Sequence, residues 1–239
     1  QINVVDMDQG PPVLLIHGFP LNQTMLNSQI LEFSKSHRVI CPDLAGFGLS
    51  QCSQPRLHLR DHARDLSEML DVLNVLESVI FCGLSMGGYI GWEFWKQYPE
   101  KISGVVACNT RAANDTPEVA RGRKIAAKSI FKTGTQLLAR QMAPRLLSSG
   151  SQEQTSSLQP TVEKMIEQTS PDSIAAGQIA MSARTDATSW LPMIDCPALF
   201  VGGEYDEITT TQEMSSNAAL LPNAQFIEIK KAGHLTPLE

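Results

Sequence analysis

The stretch Val79-Ile80-Phe81-Cys82-Gly83-Leu84-Ser85-Met86-Gly87-Gly88 decides how this chain is read. Its first part is short, apolar and β-rich, which predicts a buried strand over Ser78–Cys82. A helix-like stretch, Tyr89 to Tyr98, follows, so Ser85 falls on a tight strand-to-helix turn in a G-x-S-x-G pattern. Glycines suit positions 83 and 87 because a strained serine turn leaves no room for neighbouring Cβ atoms. The helix N-terminus also offers N–H groups to an anion. A plain glycine-rich turn is the competing reading, and the flanking strand and helix favour a nucleophile over it.

Outward from this turn, further short β-rich runs recur at Val13–Ile16, Arg38–Cys41, Gly104–Cys108, Pro197–Val201 and Gln225–Ile229, with helical patterns between them. Such alternation predicts an α/β fold: a mostly parallel, twisted sheet with helices on both faces. Leu59, Ala63, Leu66, Leu70 and Leu73 repeat at helical spacing and predict a helix with Arg60, Arg64 and Glu68 on its wet side.

Residues 109–196 are far too long for a strand-to-helix loop, which usually takes about two to six residues. They carry their own helix starts: Thr116-Pro117-Glu118 and Ser170-Pro171-Asp172 each place a capping hydroxyl, an N1 proline and an early acid in order. Gly134, the Ser148-Ser149-Gly150-Ser151 cluster and Pro160 punctuate the rest. The expected organisation is a core domain over 1–111 and 191–239, interrupted by a cap over 112–190 with about four helices between Thr116 and Thr185.

Composition limits the function classes. Among 239 residues, 19 are basic and 25 acidic, a net charge of −6 that repels nucleic acid on average. No apolar run approaches the roughly 20 residues that a membrane helix needs. The five cysteines (41, 52, 82, 108 and 196) are scattered without C-x-x-C spacing and read as buried free thiols of a reducing compartment. A cytoplasmic location is expected, although the chain opens at Gln1 without an initiator Met. No metal-ligand spacing and no phosphate- or dinucleotide-binding glycine loop is present, so no cofactor or metal is expected. Oligomeric state is not legible, because neither a heptad nor an apolar patch stands out.

A serine nucleophile needs a base, an acid that orients it, and two donors for the oxyanion. Of the five histidines, His234 follows the last predicted strand in Ala232-Gly233-His234, at the carboxyl end of the sheet where such sites lie. His37, His58 and His62 read as exposed or satisfied surface residues, and His17 as a turn-shaping hydrogen bonder. The acid should come from a strand end between nucleophile and base. Asp206 in Gly202-Gly203-Glu204-Tyr205-Asp206 fits, with Glu204, Glu207 and Asp115 as rivals. The Met86 N–H and the Phe19 N–H of His17-Gly18-Phe19-Pro20 are the candidate oxyanion donors, and both residues are candidate substrate contacts. Arg111 either meets a substrate carboxylate or anchors the cap. Asp43 precedes the nucleophile and is expected to tie its own loop, and Trp92, Phe94 and Trp95 to pack in the core.

These residues sit in an ordered motif set: HGFP at 17–20, PDLAGFGLS at 42–50, GLSMGG at 83–88, GGEYDEIT at 202–209 and AGHLTPLE at 232–239. In that order, over nearly the whole chain, it resembles the capped α/β-hydrolases. Within them the chain is similar to carboxylesterases, 3-oxoadipate enol-lactonases and cofactor-free haloperoxidase-like perhydrolases. Serine at 85 sets it apart from the haloalkane dehalogenase and epoxide hydrolase branches, which use aspartate there. The resemblance implies cleavage of a small carboxylic ester or lactone through an acyl-enzyme on Ser85. The alternatives are a perhydrolase, or a low-turnover ligand receptor or signalling protein on the same fold. Two departures stand out: Thr210 occupies a position where proline is common, and the sequence stops at Glu239, where relatives carry a further helix behind the histidine loop.

Overall fold

The computed structural model describes residues 1–7, 10–148 and 158–239. Among these, seven strands form one sheet in the order β1-β3-β2-β4-β5-β6-β7. They are β1 (Val4–Met7), β2 (Pro12–Ile16), β3 (Arg38–Pro42), β4 (Val79–Leu84), β5 (Ile102–Cys108), β6 (Ala198–Gly203) and β7 (Ala224–Ile229). Only β1 is antiparallel, pairing with β3 from Val4↔Pro42 to Met7↔Val39. The six parallel strands correspond to the six runs read from the sequence, whereas β1 is a short edge strand with too few residues for a periodic signal.

Parallel strands buried on both faces read as continuous apolar runs, and β2 shows why. Leu14 and Ile16 pack with Leu66 and Leu70 of α2 (Leu59–Val72), Ile90 of α3 (Met86–Gln97) and Met214 of α7 (Thr211–Ala218). Val13 and Leu15 pack instead with Ile30 of α1 (Asn27–Phe33) and with helices of the insertion. Each such Leu or Ile, removed fully from water, contributes about 1.5–3 kcal/mol. The α2 stripe is buried as its spacing predicts, with Leu73 half-buried, and Arg60, Arg64 and Glu68 are exposed.

Between β5 and β6 the described residues form α4 (Pro117–Leu146), α5 (Leu158–Gln168) and α6 (Pro171–Ser182). Gly134 adopts φ 75° and ψ 168° inside α4 and breaks it into two segments, as its glycine signal suggested. Thr116 Oγ1 accepts from Val119 N–H and Ser170 Oγ from Ser173 N–H, the two predicted caps. Pro160 does not end a helix: it lies within α5 as described, with the helix running on to Gln168. Ser149, Gly150 and Ser151 of the predicted serine-glycine break lie outside the described residues. Ala187 N–H donates to Ala112 O at 2.9 Å, so the entry and exit of this excursion meet. Among the described residues no helix is long and apolar enough to cross a membrane.

Candidate active site

β4 ends at Leu84 and α3 begins at Met86, leaving Ser85 alone between them at φ 52° and ψ −112°. That backbone is strained for an L-residue, at a cost of about 1–3 kcal/mol, and persists only where the surroundings over-determine it. Here they do. Ser85 N–H donates to Cys108 O of β5 at 2.9 Å, and Ser85 O accepts from Gly88 N–H, Tyr89 N–H and Thr110 Oγ1. A Cβ on Gly83 would lie 2.5 Å from the Gly87 carbonyl, and one on Gly87 would lie 2.5 Å from Ile16 O. Both glycines therefore answer to contacts across the turn. Ser85 itself is partly exposed.

Asp206 and His234 rise from the ends of β6 and β7. His234 Nδ1–H donates to Asp206 Oδ2 at 2.8 Å, with the two side chains 4% and 0% exposed. A carboxylate can only accept, so this bond fixes the proton on Nδ1 and leaves Nε2 bare as an acceptor. Asp206 also accepts from Ile208 N–H, Thr209 N–H, Thr209 Oγ1 and the Asn109 amide. Burial alone would raise the carboxyl. The His234 hydrogen bond and charge, with those from Thr209 and Asn109, outweigh it and hold the group at about 2.

Two stretches of backbone adjoin the serine from different elements. Met86 is the first residue of α3, so its N–H has no partner within the helix. The Gly18-Phe19 loop lies against the turn, since a Cβ on Gly18 would be 3.6 Å from Ser85 Cβ. His17 shapes that loop as expected: Nδ1–H donates to Gly18 O and Nε2 accepts from Leu44 N–H. Burial lowers its basicity.

Ser85, His234 and Phe19 line one cavity of about 320 Å³ together with Tyr89, Ile208 and residues of α4 and α6. The volume suits a small molecule. A larger cavity, about 620 Å³, lies between the β1 edge and α2, and none of Ser85, Asp206 or His234 lines it. Among the described residues no three His, Cys, Asp or Glu side chains gather as a metal site.

Other sequence expectations divide. Asp43 accepts from Gln23 N–H, Leu49 N–H and the Asn3 amide, tying its loop as expected, and Trp92, Phe94 and Trp95 are buried in the core. The rival acids are engaged elsewhere: Glu204 accepts from Lys231 N–H, Asp115 pairs with Arg123 and Arg184, and Glu207 is exposed. Arg111 does not line the cavity; its guanidinium donates to Ile208 O and pairs with Glu213 at 3.1 Å, so it ties β5's exit to α7. The surface reading of His62 is also corrected. It sits inside α2 between Leu59 and Leu66, on the buried stripe, 2% exposed, and its Nδ1 has no partner among the described residues. Of the cysteines, all free, Cys41 and Cys108 are buried and the others half-buried.

Three supports were not read from the sequence. Asn109, at φ 44° just beyond β5, donates to Asp206 Oδ2 and to Gly233 O. Thr209 donates to Asp206 Oδ2 at 2.6 Å. The histidine loop is tied by His234 N–H and Leu235 N–H to Leu146 O and by Gly233 N–H to Glu239 Oε1. Asn, which tolerates positive φ, directly after an apolar strand was the one local signal available for Asn109.

The family model described as alpha/beta hydrolase fold matches residues 11–239. The chain belongs to the α/β-hydrolase family. It is 25% identical to 3-oxoadipate enol-lactonase 2 of Acinetobacter baylyi over 229 residues, 96% of this chain and 84% of that one. A thermophilic esterase from Thermogutta terrifontis, solved with malate bound, superposes with a TM-score of 0.97 at 36% identity, covering 100% of this chain and 88% of that one. An enol-lactonase from Burkholderia xenovorans LB400 superposes at 0.89 with 24% identity, covering 98% and 90%, which speaks for the fold. The hydrolase fold and a place beside esterase and enol-lactonase relatives match what the motif order implied.

Proposed function

We propose that this α/β-hydrolase cleaves a small carboxylic ester or lactone with Ser85 as nucleophile, His234 as general base and Asp206 as its orienting acid. The observation that carries the reading is the buried 2.8 Å bond between His234 Nδ1 and Asp206, with His234 and Ser85 facing one cavity.

The proposed steps run as follows. His234 Nε2 takes the Ser85 hydroxyl proton as Oγ bonds to the substrate carbonyl carbon, and the Phe19 and Met86 N–H groups receive the resulting oxyanion. Asp206 remains ionised and stabilises the imidazolium. The C–O bond to the alcohol breaks as that oxygen collects the proton from His234, leaving an acyl group on Ser85. Water then gives its proton to His234 and attacks the acyl carbon; the proton returns to Ser85 Oγ as the acid departs. In a lactone, alcohol and acid leave as one molecule. The segment over 112–190 serves as the cap, since α4 and α6 supply the cavity wall facing Ser85.

Steady-state hydrolysis of p-nitrophenyl acetate and of a small lactone tests the proposal. Ser85→Ala and His234→Ala should each lower kcat by as much as about 10⁶-fold, as for residues acting as one unit. A loss below about tenfold from either would overturn the assignment.

A further inference from the structure

Among the described residues, the charged side chains lining the Ser85 cavity, apart from His234, are Arg123 and Arg145, and no described Asp or Glu lines it. This bias runs against the chain's net charge of −6. The two arginines differ in their commitments. Arg123 Nε binds Asp115 Oδ2 at 2.7 Å and another of its nitrogens reaches Gln178 Oε1. The Asp115 side chain, 1% exposed, is shared with Arg184, whose guanidinium also donates to Ala113 O and Met181 O and stacks on Tyr89 at 4.5 Å. One carboxylate thus serves two cations, leaving one positive charge unbalanced beside the cavity wall. Arg145, in the last turn of α4, has no hydrogen bond, ion pair or ring contact among the described residues and is exposed where it lines the cavity. A cation there also suits the negative end of the helix. That role needs no position on the cavity wall, whereas Arg145 stands one residue before Leu146, whose carbonyl holds His234.

We infer that Arg145 is a specificity residue that binds a free carboxylate on the substrate, so that the preferred class is a half-ester of a dicarboxylic acid. The inference rests on the reading of this cavity as the ester site. A guanidinium presents a planar fork matched to a carboxylate, and the surplus charge at Arg123 reinforces the field in a cavity partly screened from water. A neutral ester of equal size would leave the Arg145 fork facing solvent and gain nothing from either charge.

The test uses a matched pair, monoethyl glutarate and its neutral isostere ethyl 4-carbamoylbutanoate. Each is titrated calorimetrically into the Ser85→Ala protein, where no turnover is expected, and assayed for hydrolysis with the unaltered chain. The carboxylate ligand should bind about tenfold more tightly than the amide, with the difference shrinking in high salt. Arg145→Gln should abolish that preference without weakening the amide, and Arg145→Lys should keep part of it. Equal binding of the two ligands, or equal weakening of both by Arg145→Gln, overturns the inference even if both esters are hydrolysed. A preserved binding preference without hydrolysis of either ester would support the carboxylate site and count against the ester chemistry.

Discussion

Glu239 Oε1 accepts a hydrogen bond from Gly233 N–H at 2.9 Å, one residue before His234, while Oε2 of the same carboxylate accepts from Ser148 N–H at 3.0 Å. One side chain thereby clamps the histidine loop to the chain just beyond α4. Glu239→Ala should release both amides, costing about 1–3 kcal/mol of local order. In hydrolysis assays kcat should drop roughly tenfold with KM little changed, since the base and not the cavity is loosened. An unchanged kcat would show that the Leu146 carbonyl suffices.

The Ser85 backbone predicts a conflict between stability and activity. At φ 52° a serine is strained and a glycine is not, although glycine costs more entropy on folding. Ser85→Gly should therefore raise stability by about 1 kcal/mol, a rise in Tm of about 2–4 °C for a chain of this size, while eliminating turnover. Differential scanning calorimetry at pH 7 measures it, and a lower Tm would contradict the strain argument.

His62 makes stability fall on mild acidification. Burial, followed by the nearby His17 and Arg56, lowers its pKa from 6.5 to about 3. The unfolded chain then takes up a proton below about pH 6.5 that the folded chain refuses. From pH 6.5 to pH 5 this group costs about 2 kcal/mol of stability. Urea unfolding at pH 7 and pH 5 should show that loss, and His62→Phe should remove a large part of it, His17 retaining a contribution of the same sign. An identical pH dependence in the variant would mean that His62 is protonated in the fold.

Asp206 acts in the opposite direction at lower pH. Its folded pKa of about 2 lies below the ordinary 3.8, so its stabilisation is present above about pH 4 and disappears as pH falls toward 2. The contribution is about 2 kcal/mol. Acid unfolding of Asp206→Asn should lack this final decline. Asn109→Ala should shift it upward by removing one of the donors.

The six parallel strands were legible because each is a short apolar run, and the α2 face because leucine and alanine recur at helical spacing. Gly83 and Gly87 were legible for a stronger reason: the close backbone approach that excludes a Cβ leaves a mark in the sequence itself. Arg111 and His62 were misread because which way a side chain points from a loop or helix depends on partners distant in the chain. Glu213 and Ile208 claim Arg111, and the packing of α2 against the Phe47 loop encloses His62. Asn109, Thr209 and Glu239 escaped notice because their contribution is a hydrogen bond to another functional residue, which no local pattern encodes. Arg145 was invisible for a related reason, since its distinction is the lack of a partner.

Labelling with a fluorophosphonate probe, followed by mass spectrometry of the digested protein, tests the central claim most directly. The probe should modify the peptide carrying Ser85, with labelling lost in Ser85→Ala and strongly slowed in His234→Ala. Labelling at another residue, or equal labelling of Ser85→Ala, would contradict the account.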